Sequence, residues 1–546
     1  MKEEERNLLL AVALSLLVLT AWRMLVPPPP PAPAPAAPMV EETRVPPAPG
    51  PTVPAPTQPA PEPAAVSAAA ERRVEVHTPL AEVAFTNRGA GLVSWRLLGY
   101  HDRDERPEEL VPPSAGGPRP LELETGRPEI DQLLHTALFV PSEQELKVPP
   151  RGSATLSFRF AQGALSAEKS FRFSGDSALV EVTARVVQAG DSLPVLLSWG
   201  PGLGNPTPQE MEVRGYQPPA GVALAGTSVE HVPAEKLDPP RTWPHVQWLG
   251  VESHYFAALF VPGAGTGELR RVNLPAGEDS KARHASQALA KLAPDQPTLL
   301  YVGAKDYPSL VRLGHELVRV VDTGWFGPIV IPLMRLLRFV HGHVGNYGWS
   351  IVLLTVLINL AMAPLRHYSI ANGVKMAKLS PEMKVIQERY RGIPALDKRR
   401  EQMQKEMAAL YERHGMSMGT QMMMGCLPLF LTMPFLIAFY RVLDLSVELR
   451  GAPFLWIADL SQKDPWFLTP ALMGVSMFVM QKLTPSAMDP QQQRIMMLMP
   501  LMFTTMFFAA PAGLNLYWLS SNVCSLVQQA VTLRLVGAQA SERRRR

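Results

Sequence analysis

Five long apolar segments crowd the last two-fifths of this 546-residue chain, and a sixth lies near its start. Each segment is close to the roughly 20 residues that a helix needs to cross a hydrocarbon core about 30 Å thick. The sequence therefore predicts a membrane protein with six transmembrane helices. The predicted spans are residues 8–26, 347–365, 426–443, 466–483, 495–510 and 514–533.

The distribution of basic residues predicts how these spans are oriented. Eleven Lys and Arg lie in 366–413 and five in the C-terminal segment 534–546, whereas residues 445–465 contain two. Basic loops stay on the cytoplasmic side of a membrane. We therefore expect a multi-pass protein of the plasma membrane, with both termini in the cytoplasm and residues 27–346 outside.

The first half of the chain divides by composition. Residues 1–26 predict an uncleaved anchor, because no small-residue cleavage site directly follows the apolar run. Residues 27–70 form a Pro/Ala-rich linker with 17 prolines between positions 27 and 63, typical of a semi-rigid spacer. From 71 to 323, short runs of alternating apolar and polar residues predict strands of one large all-β sandwich without a strong helical stretch.

Helical patterns follow the predicted sandwich. Apolar residues at helical spacing over 310–321 predict one helix lying against it. Within residues 324–346, the apolar segment 325–340 carries Arg335 and Arg338 and is too short and too interrupted to span, which favours an interfacial helix on the outer membrane face. The remaining spans occupy 347–534. Two apolar stripes within 369–414 predict a cytoplasmic helical hairpin, and 535–546 is a basic cytoplasmic tail.

The chain shows no set of residues typical of an enzyme, and we predict no catalytic site, metal or cofactor. The dipeptide Gly-Lys never occurs, so there is no Walker-type phosphate loop. Ser166 and Lys169 match an S-x-x-K pattern but lie in strand-like sequence without the accompanying K-T-G. His341 and His343 lack the neighbouring carboxylates and cysteines of a metal site, so we expect a loop histidine pair at the membrane interface.

Polar side chains at membrane depth usually face a bundle interior or a wet cavity. For scattered Thr and Ser, interhelical hydrogen bonds of about 0.6 kcal/mol each are the favoured interpretation. The sixth span is the most polar, and for it we favour a hydrated groove. The fifth span is short, which favours local thinning of the bilayer. The candidate groove residues in the spans are Thr355, Asn359, Thr432, Tyr440, Ser476, Asn515, Tyr517, Ser520 and Asn522.

The chain contains several longer sequence motifs, each at one position. They are Trp248-Leu249-Gly250, Gly303-Ala304-Lys305-Asp306, Gly425-Cys426-Leu427-Pro428, Asp459-Leu460-Ser461 with Asp464-Pro465, Gln481-Lys482-Leu483-Thr484-Pro485, and Pro511-Ala512-Gly513-Leu514 with Tyr517-Trp518. In these motifs the chain resembles the YidC membrane-protein insertases of Gram-negative bacteria, part of the YidC/Oxa/Alb family, over nearly its whole length.

The resemblance implies a five-helix insertase core around a groove open to cytoplasm and lipid but closed to the outside. It also implies a periplasmic β-sandwich domain and a place in the bacterial inner membrane. The expected partners are nascent membrane proteins, the Sec translocon and membrane lipids. The basic hairpin and tail also suit contact with a ribosome, although a solvated charged surface explains the hairpin equally well.

Two other functions stay open at this point. A multi-span transporter or channel with a periplasmic binding domain predicts two related halves, which the spans do not show. A membrane-anchored sugar-binding or epimerase domain predicts converging carboxylates and histidines in the β region, where Trp243, His245 and His254 are scattered.

The chain departs from the family at one groove position. Tyr517 matches the family's groove tyrosine, but the position of the groove arginine, five residues before Pro364, is Asn359. Arg366 follows two helical turns later, on nearly the same face and about 10.5 Å nearer the cytoplasm. We hypothesise that Arg366 supplies the positive charge of the groove from its mouth, unless Pro364 bends the helix and spoils the alignment.

Overall fold

The computed structural model describes residues 65–545, except for 103–104, 113–117, 205, 207–210, 212–215, 264, 275–282, 294–295, 391–396, 398, 415–432 and 485–489. The predicted anchor, most of the predicted linker and the first part of the third predicted span lie outside the described residues.

Residues 71–323, called the β domain below, consist mainly of strands, as the alternating pattern predicts. The described strands are β1 Arg73–His77, β2 Ala81–Thr86, β3 Leu92–His101, β4 Pro107–Glu109, β5 Leu123–Glu124, β6 Val140–Pro141, β7 Glu145–Lys147, β8 Ser153–Gln162, β9 Leu165–Ser174, β10 Leu179–Gln188, β11 Asp191–Leu193, β12 Leu196–Trp199, β13 Ala220–Ala225, β14 Ser228–Val232, β15 Arg241–Trp243, β16 Trp248–Glu252, β17 Phe256–Val261, β18 Gly267–Leu274, β19 Arg283–Lys291 and β20 Thr298–Ala304.

The strands form three sheets that share one apolar core. A ten-stranded sheet has the order β14-β13-β16-β17-β20-β10-β9-β8-β6, with β11 beside β10. Two five-stranded sheets, β4-β3-β2-β1-β7 and β15-β18-β19-β12-β5, contribute apolar side chains to the same core. The β1–β7 pair is parallel, and the other pairs between described strands are antiparallel. The β domain therefore consists of three sheets around one shared apolar core, of which the ten-stranded sheet is the largest.

The central strand β17 shows why this sheet is covered on both faces. Ala258 and Phe260 point into the main core, whereas Ala257 and Leu259 belong to a second cluster on the opposite face. This is the alternation that a strand imposes on successive side chains. Leu310 also belongs to the second cluster, so the segment after β20 packs on the sheet.

Three local predictions for this domain are wrong in detail. The predicted helix over 310–321 is two short pieces, Tyr307–Leu313 and a 3₁₀ turn at Leu317–Val320, because Gly314, His315 and Glu316 between them have positive φ. One of the alternating runs in this domain, residues 193–199, predicts a single strand, but the chain is divided there at Pro194, which has no N–H for the ladder. A helix, Pro128–Thr136, also interrupts the strands.

In the described residues the second half of the chain is helical. With α1 Pro128–Thr136 and α2 Tyr307–Leu313 in the β domain, the further helices are α3 Gly327–Val344, α4 Tyr347–Ala361, α5 Ala363–Arg389, α6 Arg399–Arg413, α7 433–445, α8 Leu468–Leu483, α9 Pro490–Phe507 and α10 Ala512–Arg545. Side chains from α3, α4, α7, α8, α9 and α10 share one apolar core, called the helical core below.

The predicted hairpin corresponds to α5 and α6. Leu379 and Met383 of α5 bury against Leu410 and Tyr411 of α6, with Met376, Ile386 and Met407 alongside. The first arm begins at Ala363, directly after α4, so the hairpin is continuous with the helical core.

By length and composition alone, one bent pair of the described helices could cross a membrane. Together α4 and α5, bent by 60° between Ala361 and Ala363, are long and apolar enough, whereas no single described helix is. Leu468–Leu483 and Met496–Phe507 are shorter apolar helices. The count of six transmembrane helices stays a prediction.

Candidate functional site

The polar face of α10 meets the junction of α4 and α5. Asn359 is buried near the end of α4, and its Nδ2 lies 3.5 Å from Ser521 Oγ. Arg366, in the first turns of α5, donates from Nη1 to Asn359 Oδ1 at 2.6 Å and to Ser525 Oγ at 2.5 Å. A guanidinium thus lies at the joint of three helices, held by neutral oxygens.

The bend between α4 and α5 does not separate Arg366 from Asn359. Pro364 lies in the first turn of α5, where its missing N–H costs no intrahelical bond. The side chain of Arg366 is long enough to reach back across the bend to the amide. Arg366 therefore contacts Asn359 across a bend, rather than from the same face of one continuous helix.

The same row of contacts continues toward the hairpin. Gln528 Nε2 donates to the carbonyl of Ala363 at 2.6 Å, and His367 Nδ1 lies 3.0 Å from Thr532 Oγ1. From Ser521 through Ser525 and Gln528 to Thr532, the polar residues of α10 step four, three and four positions. That spacing places them along one face of the helix.

A second row of α10 faces α8. Asn522 Nδ2 donates to Ser476 Oγ at 2.9 Å, and Gln529 Nε2 donates to Thr484 Oγ1 at 3.1 Å. Ser476 in turn donates to the carbonyl of Met473 within its own helix. The polar side chains of α10 therefore contact α4 and α5 on one side and α8 on the other.

Other candidate residues make local contacts. The hydroxyls of Thr355 and Ser520 each donate to the carbonyl four residues earlier, as Ser and Thr commonly do inside helices. Asn515 donates to Phe507 O at 3.3 Å, near the end of α9. The ring of Tyr517 stacks on Phe439 of α7 with centroids 4.0 Å apart.

The remaining two candidates lie apart from this polar junction. Tyr440 lines an apolar cavity of about 270 Å³ between α7, α9 and α10, beside Trp518. Thr432 lies outside the described residues. Of the ten predicted site residues, Asn359 contacts Arg366 and also donates to the carbonyl of Thr355 at 2.8 Å, and Ser476 pairs separately with Asn522.

Sequence reasoning missed several members of these rows: Ser525, His367, Thr484 and Thr532. His367 and Thr484 lie just outside the predicted spans 347–365 and 466–483, so a search within single spans does not reach them. Ser525 and Thr532 lie inside the sixth predicted span, but nothing in that span alone identifies their partners. A sequence feature that could have identified these partners is the spacing of polar residues. Polar side chains recur about once per helical turn in α10, and polar residues also occur in the segment 359–367 that contacts it.

Charged pairs join the β domain to the helical core. Arg338 of α3 lies 2.7 Å from Asp306 of the β domain and 2.6 Å from Glu448, which follows α7. Arg450 contacts Glu108 at 2.5 Å. Partly buried ion pairs thus join the β domain to the helical core, and removal of one partner would leave a poorly hydrated charge.

Other buried charged side chains pair with one another within the β domain. Burial alone would raise the pKa of Glu252, but Lys305, at 3.2 Å, and His231 hold it below its usual value. The hydrogen bond to Glu252 raises the pKa of His231. In the motif 303–306, Lys305 thus anchors to β16, while its neighbour Asp306 contacts Arg338.

No cluster of three or more His, Cys, Asp or Glu side chains that could hold a metal ion occurs among the described residues. His341 and His343 lie in the last turn of α3, not in the expected loop. The ring of His341 stacks on Tyr347 at 3.7 Å, and His343 Nδ1 contacts the carbonyl of Phe339.

Known families match both halves of the chain. Residues 73–336 match the model of the YidC periplasmic domain, and residues 339–539 match the 60Kd inner membrane protein model. A protein named membrane protein insertase YidC, from Citrifermentans bemidjiense, is 33% identical over 84% of this chain and 85% of its own length. The chain belongs to the YidC family. This is an inner-membrane family with a periplasmic domain rich in strands.

A YidC relative from Nitratidesulfovibrio vulgaris aligns over 97% of this chain and 99% of its own, at 32% identity. Among solved structures, an active YidC insertase matches with a TM-score of 0.35 and 16% identity, over 86% of this chain and 94% of that chain. A galactose mutarotase-like protein from Lactobacillus casei matches 42% of this chain and all of its own, at 11% identity and a TM-score of 0.27.

Proposed function

We propose that this chain is a membrane protein insertase that inserts integral membrane proteins into the bacterial inner membrane and helps them fold. It acts through a hydrophilic groove, open to cytoplasm and lipid, that lies between α4, α5, α8 and α10. Both termini lie in the cytoplasm and the β domain in the periplasm. The relatives that bear the name insertase align along nearly the full chain.

The observation that carries the groove is the cationic side chain of Arg366 at the joint of α4, α5 and α10. Its Nη1 is bound by Asn359 Oδ1 and Ser525 Oγ, both neutral acceptors. No carboxylate salt bridge to Arg366 occurs among the described residues, so its charge is left to act on a passing segment. The hydroxyls and amides of α10 supply hydrogen bonds beside it.

The energetics favour such a site without a chemical energy source. A charged residue costs about 2.5–3.5 kcal/mol at a bilayer centre on insertion scales. Hydrogen bonds and a positive charge partway across the membrane lower that cost for a hydrophilic tail. Burial of the roughly 20 apolar residues of the client span in lipid then drives the step.

Insertion by the purified chain is the direct test. The chain is reconstituted in proteoliposomes and given a two-span client with a short, charged translocated loop. Protease protection of that loop, absent from empty liposomes, is the expected result. An unprotected loop, with the protein folded and oriented, would reject autonomous insertion.

Sec translocon components and the ribosome are proposed partners. The ribosome would contact the basic surface of the α5–α6 hairpin and the C-terminal tail, where phosphate contacts suit Lys and Arg. A transporter or channel is not favoured, since the relatives are named insertases. Deletion of the β domain separates the two functions: insertion should survive it, whereas ligand transport through a periplasmic binding domain should not.

A further inference from the structure

The segment 454–467, called the 454–467 loop below, is a rigid connection at one end of the helical core. Phe454, Ile457 and Leu460 are buried in that core. Asp464 is also buried and accepts hydrogen bonds from Trp456 Nε1 at 3.1 Å and from the Trp466 amide at 3.0 Å. It accepts two more from the amide and hydroxyl of Thr469, at the start of α8.

This rigid loop leaves large apolar side chains exposed. Leu455 is 68% exposed and Trp466 is 69% exposed, and Phe467 follows directly. Leu455 and Phe467 both have φ of +52°, a left-handed conformation that bulky L-residues rarely adopt. Strain that persists at an exposed apolar site favours a function for the exposed side chains.

The loop lies next to the N-terminal ends of α8 and α4, each of which carries an exposed stripe of apolar side chains. On α8 the stripe is formed by Leu468, Leu472, Val475 and Val479, and on α4 by Trp349, Leu353, Leu357 and Leu360. Their spacing of three or four residues keeps each stripe on one helix face. The ring of Trp349 lies 5.4 Å from Phe454, and that of Phe467 lies 5.5 Å from Phe508 at the end of α9.

The charged residues just before this loop already have ion-pair partners. Arg450 contacts Glu108 of the β domain, and Glu448 contacts Arg338. Leu455 and Trp466 are therefore the apolar side chains of the 454–467 loop that the described residues leave mostly exposed. A tryptophan at the upper end of each apolar stripe suits the boundary between acyl chains and headgroups, where its ring is apolar and its N–H is wet.

We propose that the 454–467 loop inserts into the interfacial region of the outer leaflet, with Leu455 between the two tryptophan-topped stripes and phospholipid as its partner. This inference rests on the proposed function, because it requires α4 and α8 to lie in the bilayer. It fixes the depth of the helical core and places the outer end of α8 at the headgroup level.

Spin labels in the full-length chain test the depth. Single cysteines replace Leu455, Val475 and Glu129 in a Cys426→Ser/Cys524→Ser background, reconstituted in phosphatidylcholine/phosphatidylglycerol vesicles. Val475, seven residues beyond the start of α8 at Leu468, lies about 10.5 Å deeper along the helix, and Glu129 is an exposed residue of the β domain. Collision with oxygen and with a water-soluble nickel chelate reports the depth of each label.

We expect the Leu455 label to favour oxygen over the chelate several-fold more than the Glu129 label does, and less than the Val475 label. An aqueous Leu455 label beside a lipid-exposed Val475 label overturns the loop proposal alone. A Leu455 label shielded from both reagents also overturns it and indicates a second copy as the partner. An aqueous Val475 label overturns the membrane placement on which the proposed function depends.

A second measurement needs no cysteine. Phosphatidylcholine brominated near the headgroup quenches tryptophan emission at the interface. We expect this quenching to fall in Trp466→Phe relative to the parent chain. Equal quenching in the two proteins overturns the proposal, even if the cysteine-free background fails to fold.

Discussion

Arg366 Nη1 lies 2.6 Å from Asn359 Oδ1, across the 60° bend that separates α4 from α5. The residue that other family members are expected to carry at position 359 is an arginine, and here the guanidinium arrives at that position from the next helix. Ser525 of α10 holds the same nitrogen from the opposite side.

Removal of this charge should impair insertion. Arg366→Ala removes the positive charge that an acidic client segment would meet in the groove. A hydrogen bond to a charged group is worth about 1.5–3 kcal/mol, so we expect insertion of a client with an acidic translocated loop to slow about tenfold or more. Arg366→Lys should be intermediate, because it keeps the charge but loses the fork geometry. The protease-protection assay in proteoliposomes measures each rate.

The design includes a rescue and a control. Asn359→Arg in the Arg366→Ala background should restore insertion, since it returns a guanidinium to the same place. Lys375→Ala, an exposed position on the same helix, should leave the rate unchanged. Full activity of Arg366→Ala would remove the role assigned to this arginine.

The contact between α8 and α10 is expected to stabilise the core rather than to bind clients. Asn522→Ala and Ser476→Ala should each lower stability, and a double-mutant cycle should give a coupling of about 0.6 kcal/mol, typical of hydrogen bonds between membrane helices. Unfolding in mixed micelles of increasing SDS fraction measures the coupling. A cycle without coupling would leave both side chains free for the groove.

The sequence predicted the order of strand-rich and helical regions along the chain better than it predicted the contacts between them. Alternation and proline content separate the β domain from the helices, since burial on one or two faces imposes a period of two. The break at Gly314–Glu316 was missed because His315 and Glu316 adopt positive φ without being glycine. The rows on α10 were found only in part, because partners such as His367 and Thr532 are 165 residues apart.

Arg338 should stabilise the contact between the β domain and the helical core. Arg338→Met leaves Asp306 and Glu448 as poorly hydrated carboxylates without their partner, which costs about 3–5 kcal/mol where such a pair is fully buried and less here. Thermal unfolding in detergent should shift to lower temperature, and hydrogen exchange should rise in 306–313 and 445–450. Arg335→Met, one turn earlier with an exposed side chain, is the matched control and should change neither measurement.

The fully buried Lys169 should give the β domain a distinctive pH dependence. Its Nζ donates to the carbonyls of Ala90 at 2.7 Å and Leu121 at 2.5 Å, and burial lowers its pKa from 10.5 to about 7. Between pH 7 and 10.5 the unfolded chain holds a proton that the folded chain has lost. The Lys169 contribution to stability therefore rises with pH across that window and is constant on either side of it.

Lys169→Met removes this contribution and leaves the two carbonyls without a donor. The stability difference between parent and variant should widen as the pH rises from about 7 to 10, because only the parent gains from the titration. Urea unfolding in detergent, followed by tryptophan emission, measures it. Arg172→Met, exposed on the same strand, should give a pH-independent difference, since an arginine does not titrate in this range. A constant difference for Lys169→Met would mean that the buried ammonium keeps its proton throughout.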